Sequence, residues 1–206
     1  MVKLNVKVKQ NAYNNITKLL VNEENIKQAT KEKKNNGRNL KLLFNNKNMQ
    51  QHQAIKCGII LEKWIKNIIS KFGLEVYPSD IIMLQLNVKS KKRKKQIDVC
   101  FRVGNTLYYF EIKSNINLDT EKSGMTDTKV RLIKNYLENN LTNSRMKVVA
   151  GVLTVWYDED PSFDYKLTSD IYYMKDFFEI IGHPMSKNEY YRITHKFGEL
   201  MKKCTK

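Results

Sequence analysis

Two carboxylates and an ammonium stand near one another in the middle of the chain. Asp98 lies in the run Gln96-Ile97-Asp98-Val99-Cys100-Phe101-Arg102-Val103, and Glu111 and Lys113 lie in Leu107-Tyr108-Tyr109-Phe110-Glu111-Ile112-Lys113. Both runs are rich in β-branched and aromatic residues and predict strands. Side chains alternate between the faces of a strand, so Tyr109, Glu111 and Lys113 share one face while Phe110 and Ile112 take the other, which should face the core. In the first run Asp98 and Cys100 oppose Ile97, Val99 and Phe101 in the same way. Gly104-Asn105 between the runs fits a tight hairpin turn, which makes Asp98 and Glu111 neighbours. Two carboxylates brought together repel unless a cation sits between them. Oxygen ligands select a hard ion, Mg²⁺ with Mn²⁺ as substitute. Lys113 beside them could hold an attacking water or stabilise charge developing on a phosphate. Hydrolysis of a nucleic acid backbone is the chemistry these parts suit.

The elements that must position these residues can be read from periodicity. Leu61, Trp64, Ile65, Ile68, Ile69 and Phe72 recur at helical steps and predict a helix over about 50–72, with Gly73 as its stop. Glu62 lies along the edge of that apolar face, near the core but able to reach into a cleft. A first strand is predicted over 81–88, IIMLQLNV, followed by SKKRKK and then the two runs above. Val130, Ile133 and Leu137 mark a helix over 126–140, and MKVVAGVLTVW, residues 146–156, reads as a buried strand. The order is helix, strand, strand, strand, helix, strand. Such a series forms one mixed sheet with a helix on each face, an α/β layered core. Outside it, a helix is predicted over 11–32 and an apolar piece over Leu40 to Phe44. The tail holds DFFEII at 176–181, a break at Gly182-His183-Pro184, and a last helix opening at Ser186, where Glu189 has capping-box spacing. The organisation expected is one domain over 1–206, with an N-terminal helical appendage at 1–48, a core at 49–156 and a C-terminal helical segment at 157–206.

Charge narrows the partners. Lys and Arg number 37 against 21 Asp and Glu in 206 residues, a net charge of +16. A field of that sign favours polyanions, nucleic acid first and a membrane surface second. No apolar window of membrane-spanning length is present, and the start, MVKLNVKVKQ, lacks the apolar centre of a signal peptide. Cys57, Cys100 and Cys204 are odd in number and far apart, so they read as reduced thiols of a cytoplasmic protein. No CxxC or HxxxH pair suggests zinc, and no GxxxxGKS loop suggests a nucleotide. The run Lys91 to Lys95 has three readings: a solvated connection, a targeting patch, or a phosphate-binding loop. Its place just before Asp98 favours the last.

Asp98, followed thirteen positions later by Glu111-Ile112-Lys113, resembles the motif of the PD-(D/E)XK nuclease superfamily, which includes most type II restriction endonucleases. An ExK triplet alone is common and usually marks a polar strand face with an ion pair. The upstream Asp, the turn, the order of elements and the charge carry the resemblance. It covers residues 50–156, about half the chain, and implies a restriction-endonuclease-like αβββαβ core with a mixed central sheet flanked by helices. One departure is plain: Gln96-Ile97 stand before Asp98 and no proline does. By resemblance, Asp98 and Glu111 would bind Mg²⁺ with the Ile112 carbonyl as a further ligand, Lys113 would be the catalytic lysine, and Glu62 would take the place of a glutamate often found on the preceding helix. The implied activity is hydrolysis of double-stranded DNA at specific sequences to 5′-phosphate and 3′-hydroxyl ends. Cutting both strands implies a homodimer or pairing with a second subunit, with no membrane partner. Lys91, Lys92, Arg93, Lys94, Lys95, Asn115 and Lys129 are assigned to DNA contact. A junction resolvase or repair nuclease, and a basic DNA-binding module without cleavage, are the alternatives.

Overall fold

The computed structural model describes residues 6–30, 40–46, 49, 51–77, 82–84, 93–140, 146–159 and 165–204. In chain order the elements are α1 (Val6–Leu20), α2 (Glu23–Thr30), α3 (Leu40–Leu43), α4 (Gln51–Lys71), β1 (Ile82–Leu84), β2 (Arg93–Lys95), β3 (Val99–Val103), β4 (Thr106–Lys113), α5 (Thr120–Asn140), β5 (Lys147–Thr154), β6 (Ile171–Tyr172), α6 (Met174–Ile180) and α7 (Lys187–Cys204). They form two compact units, Met1–Ile68 with Gly182–Lys206, and Ile69–Ile181. The divisions fall after 68 and 181, whereas composition and periodicity suggested 49 and 157. Among the described residues, no helix is long and apolar enough to cross a membrane.

The first unit is helical. The pattern over 11–32 predicts one helix, but two are found, because Asn22 breaks it. Its side-chain oxygen accepts the Asn25 amide N–H at 2.9 Å and so caps α2. The Asn25 side chain in turn donates to the carbonyls of Leu19 and Leu20 at the end of α1. Trp64 of α4 is buried and donates its indole N–H to the Ile16 carbonyl at 3.0 Å. Phe44 packs on Phe197 of α7 with ring centres 5.2 Å apart. At the start of α7 the expected capping box is present: the Glu189 carboxylate accepts the Ser186 N–H at 2.8 Å, and Ser186 Oγ accepts the Glu189 N–H at 3.3 Å.

The second unit is α/β, built on a mixed four-stranded sheet ordered β3-β4-β5-β6. β3 and β4 form the antiparallel hairpin, with Gly104 at φ 57° in its turn, while β4 pairs parallel to β5 and β5 parallel to β6. Leu107, Tyr109, Val148, Ala150 and Val152 bury one face under Val130, Ile133 and Leu137 of α5. On the other face Phe110 meets Tyr172 at 4.8 Å and Phe101 meets Phe177 of α6 at 6.1 Å, ring centre to ring centre. Helix α5 begins at Thr120, six residues before the expected start at 126, because Asp119 caps it by accepting the Lys122 N–H at 2.8 Å.

The strand expected over 81–88 differs most. Its described part, β1, pairs antiparallel with β2 in a two-stranded sheet of its own. The edge of β3 is instead paired by residues 75–77. Tyr77 N–H donates to the Cys100 carbonyl at 2.9 Å, and Arg102 N–H to the Glu75 carbonyl at 3.1 Å. The end of α4 delivers this segment: Gly73, at φ 72°, donates to the Ser70 carbonyl, and Leu74 donates to the Ile69 carbonyl. That pair of bonds is a Schellman stop. Strand β6 has only two residues and therefore no periodicity to detect.

Gly151 of β5 sets how closely β6 approaches. A Cβ there would lie 2.5 Å from the Asp170 carbonyl oxygen and 2.7 Å from the Tyr172 ring. Gly151→Ala should therefore destabilise the protein by about 1–3 kcal/mol. Urea unfolding of the variant beside the wild type measures this, and an unchanged midpoint would mean that β6 yields freely.

Candidate active site

The hairpin and α5 bring the charged groups together. Asp98 stands just before β3, not within it, and its Oδ2 accepts the Ile112 backbone N–H at 3.0 Å. The antiparallel register sets Val99 opposite Phe110, so Asp98 comes beside the end of β4, as the turn predicts. Lys113 Nζ is 2.7 Å from Glu111 Oε1. The Lys113 carbonyl accepts the Val155 N–H at 3.3 Å, and the Ser114 carbonyl accepts the Trp156 indole N–H at 3.3 Å, which fixes the end of β4.

The face that carries Glu111 is not the open polar face that alternation suggested. Glu111 is 3% exposed and Tyr109 is fully buried, because α5 lies over them. Both faces of β4 are core. The cation between the carboxylates comes from α5: the Lys129 ammonium pairs with Glu111 Oε2 and lies 3.2 Å from Asp98 Oδ1. The Tyr109 hydroxyl donates to Glu111 Oε2 at 3.3 Å.

No family model, curated protein or solved structure matches the chain.

The chemistry therefore follows from the site's own atoms. Burial first, and the Glu111 charge second, raise the Asp98 carboxyl to about 6, against the pull of Lys129 and the Ile112 N–H. Burial also pushes Glu111 up, but Lys113 and Lys129 overcome it and hold Glu111 below the usual carboxylate range. Burial pulls the Lys129 ammonium down, and Glu111 and Asp98 outweigh that and raise it. Burial and the Glu111 charge raise the Tyr109 phenol, which stays a donor. Burial lifts the thiols of Cys57 and Cys100 to about 12, so both are inert core residues.

Two carboxylate oxygens, Asp98 Oδ1 and Glu111 Oε2, converge on one cation position. That donor set fits a small hard ion, which commonly rests on one or two carboxylates and keeps several waters. Among the described residues, no group of three or more His, Cys, Asp or Glu could hold a metal. An ion here would take Asp98 and Glu111 from the protein, with the Ile112 carbonyl as the third oxygen that the resemblance implies.

Glu62, on α4 in the helical unit, pairs with Lys66 at 2.7 Å. The Asn115 side chain is engaged in a local turn, accepting the Asn117 N–H at 2.9 Å. Lys91 and Lys92 lie outside the described residues, and Arg93, Lys94 and Lys95 are described only as the backbone of β2. Lys129, assigned above to DNA contact, is turned inward onto the carboxylates. Its position was a signal: Lys129 stands three residues after Thr126 and four before Ile133, both buried, on the face of α5 that meets the sheet. Asp127 holds α5 from its outer side by accepting the N–H groups of Thr168 and Ser169, each at 3.0 Å.

The two acids should respond oppositely to neutralisation. Asp98 ionises near 6 in the folded protein and near 3.8 ordinarily, so its charge costs stability at neutral pH and costs nothing below its unfolded value. Glu111 is depressed, so its charge stabilises above the ordinary range, and that contribution is lost as pH falls through its folded value. At about pH 7.5 without metal, Asp98→Asn should stabilise the protein by about 1–3 kcal/mol and Glu111→Gln should destabilise it. The Asp98 difference should fade toward pH 4, whereas the Glu111 difference should persist there and fade only as pH falls through its depressed folded value. Thermal melts across that range test this, and a shift of the same sign for both variants would refute the assignment.

Proposed function

We propose that the protein is a Mg²⁺-dependent endonuclease of the PD-(D/E)XK type that cuts double-stranded DNA at a specific sequence, as type II restriction endonucleases do. The observation that carries the proposal is the convergence of Asp98 Oδ1 and Glu111 Oε2 on one cation position, with Lys113 on the other oxygen of Glu111. The order of elements supports it too. Setting aside the β1–β2 pair that lies between residues 77 and 99, the chain runs α4, residues 75–77 paired to β3, then β3, β4, α5 and β5. Residues 75–77 thus occupy the edge where the first strand of an αβββαβ core is expected.

In this reading Asp98 and Glu111 hold the ion, and the Ile112 N–H fixes the Asp98 carboxylate. When bound, a divalent ion polarises a phosphate oxygen and acidifies a water. Lys113 orients the attacking water or balances charge developing on the phosphate. The Tyr109 hydroxyl fixes the Glu111 oxygen from within the core. The net charge of +16 brings in the DNA backbone. A second copy or second subunit would cut the other strand.

A second reading has its own observation. Lys129 pairs with both carboxylates and Lys113 with Glu111 without any other ion, as in a structural ion cluster of a non-catalytic basic DNA-binding module. Cleavage assays separate the two. Unmethylated phage DNA should give discrete fragments with Mg²⁺ or Mn²⁺ and none in EDTA, while Ca²⁺ should support binding without cutting. Asp98→Ala and Lys113→Ala should each lower cleavage by about a hundredfold or more and leave DNA binding intact. DNA binding without cleavage under every metal condition would favour the module, and cutting confined to branched DNA would favour a junction resolvase.

A further inference from the structure

We infer that Lys129 is a built-in competitor of the divalent cation, holding the paired carboxylates while the ion is absent and leaving them when it binds. The inference rests on the metal-dependent reading above and assigns that site its regulation. Lys129 Nζ pairs with Glu111 Oε2 and Asp98 Oδ1, the two oxygens an ion would bridge. A small divalent ion needs those oxygens at about 2.1 Å, which leaves no room for an ammonium in contact with the same pair. Repulsion between the ammonium and a doubly charged ion, in a partly dry site, acts in the same direction. Lys113 is placed differently. It contacts Glu111 Oε1 and can remain when Oε2 turns to the ion. Lys129 can move, because its charge sits on a four-carbon stem and its side chain is 19% exposed.

The exchange has a consequence for the substrate. Without the ion, two carboxylates and two ammonium groups balance. With it, the cluster carries two excess positive charges, one of which a phosphodiester neutralises. Metal binding is therefore weak alone and strengthened by DNA, and the displaced Lys129 is left as a cation beside the phosphate.

The test is Mn²⁺ binding by calorimetry, without DNA, to the wild type and to Lys129→Met. The variant should bind about tenfold more tightly, or better. If the wild type binds Mn²⁺ and cuts DNA while the variant binds no more tightly, the competition is overturned and the nuclease reading stands. If neither protein binds Mn²⁺, both fail. Should Lys129→Met not fold, the wild type alone decides. Acetylation of Lys129 by an N-hydroxysuccinimide ester, followed by peptide mass spectrometry with exposed Lys147 as reference, should rise several-fold when Mn²⁺ is added. Labelling that stays constant or falls would overturn the proposal.

Discussion

A carboxylate buried between a sheet and a helix has to be balanced from within the protein. Glu111 is in that position. Strand β4 runs through the centre of the second unit, with α5 covering the face that carries Glu111 and the aromatic cluster of Phe101, Phe110 and Phe177 filling the opposite face. An unpaired charge there would cost several kcal/mol. Three donors answer it: Lys113 from the same strand, Lys129 from α5 and the Tyr109 hydroxyl. Because Lys129 also reaches Asp98, the demand made by Glu111 fixes the register between helix and hairpin. Asp127, bound to the loop before β6, holds the same helix from outside.

What the sequence made legible was local. The distance from Asp98 to Glu111 spans one hairpin, and a hairpin is set by its turn residues and alternation alone. Gly73 stops α4, and Ser186 with Glu189 starts α7, for equally local reasons. What stayed hidden depended on packing between distant segments. Alternation along β4 distinguishes its two faces but does not say whether a helix covers the polar one. Glu111 therefore read as part of an open polar face, although it is buried under α5. The segment 75–77 follows the Gly73 stop, is too short to show a strand pattern of its own, and becomes sheet only because the edge of β3 needs partners for Cys100 and Arg102. Asn22 was visible but carries two meanings, a polar position on a helix or a cap between two. Lys129 is the instructive miss. Its spacing from Ile133 placed it on the inward face, yet a lysine in a basic chain reads first as surface charge.

The cluster and the chain differ in electrostatic character. The whole sequence carries +16, but the group of Asp98, Glu111, Lys113 and Lys129 is balanced. Long-range attraction for a polyanion thus comes from charge spread elsewhere, and the cluster itself offers a phosphate no net attraction until a further cation enters. Within it, the two acids are not equivalent. Glu111 is held by two ammonium groups and stays ionised, while Asp98 has one ammonium, one backbone N–H and a like charge beside it. Asp98 is therefore the carboxylate whose charge is least satisfied by the protein alone.

That inequality bears on why such a cluster exists. A buried ion network rarely stabilises a fold more than apolar residues of the same volume would, because desolvation offsets the attraction. The surroundings here could have been apolar: Leu107, Cys100, Val152 and Val130 already line the same layer. A purely structural cluster would gain most if each charge found a full set of partners. Asp98 does not, and it lies at the more exposed end, with its side chain 18% accessible against 5% for Glu111. An incompletely satisfied carboxylate at the rim, joined through a shared ammonium to a well-anchored one beneath it, is the arrangement expected of a site that exchanges one cation for another. In the exchange we propose, the stability given up at Asp98 would become part of the affinity for the ion that replaces Lys129.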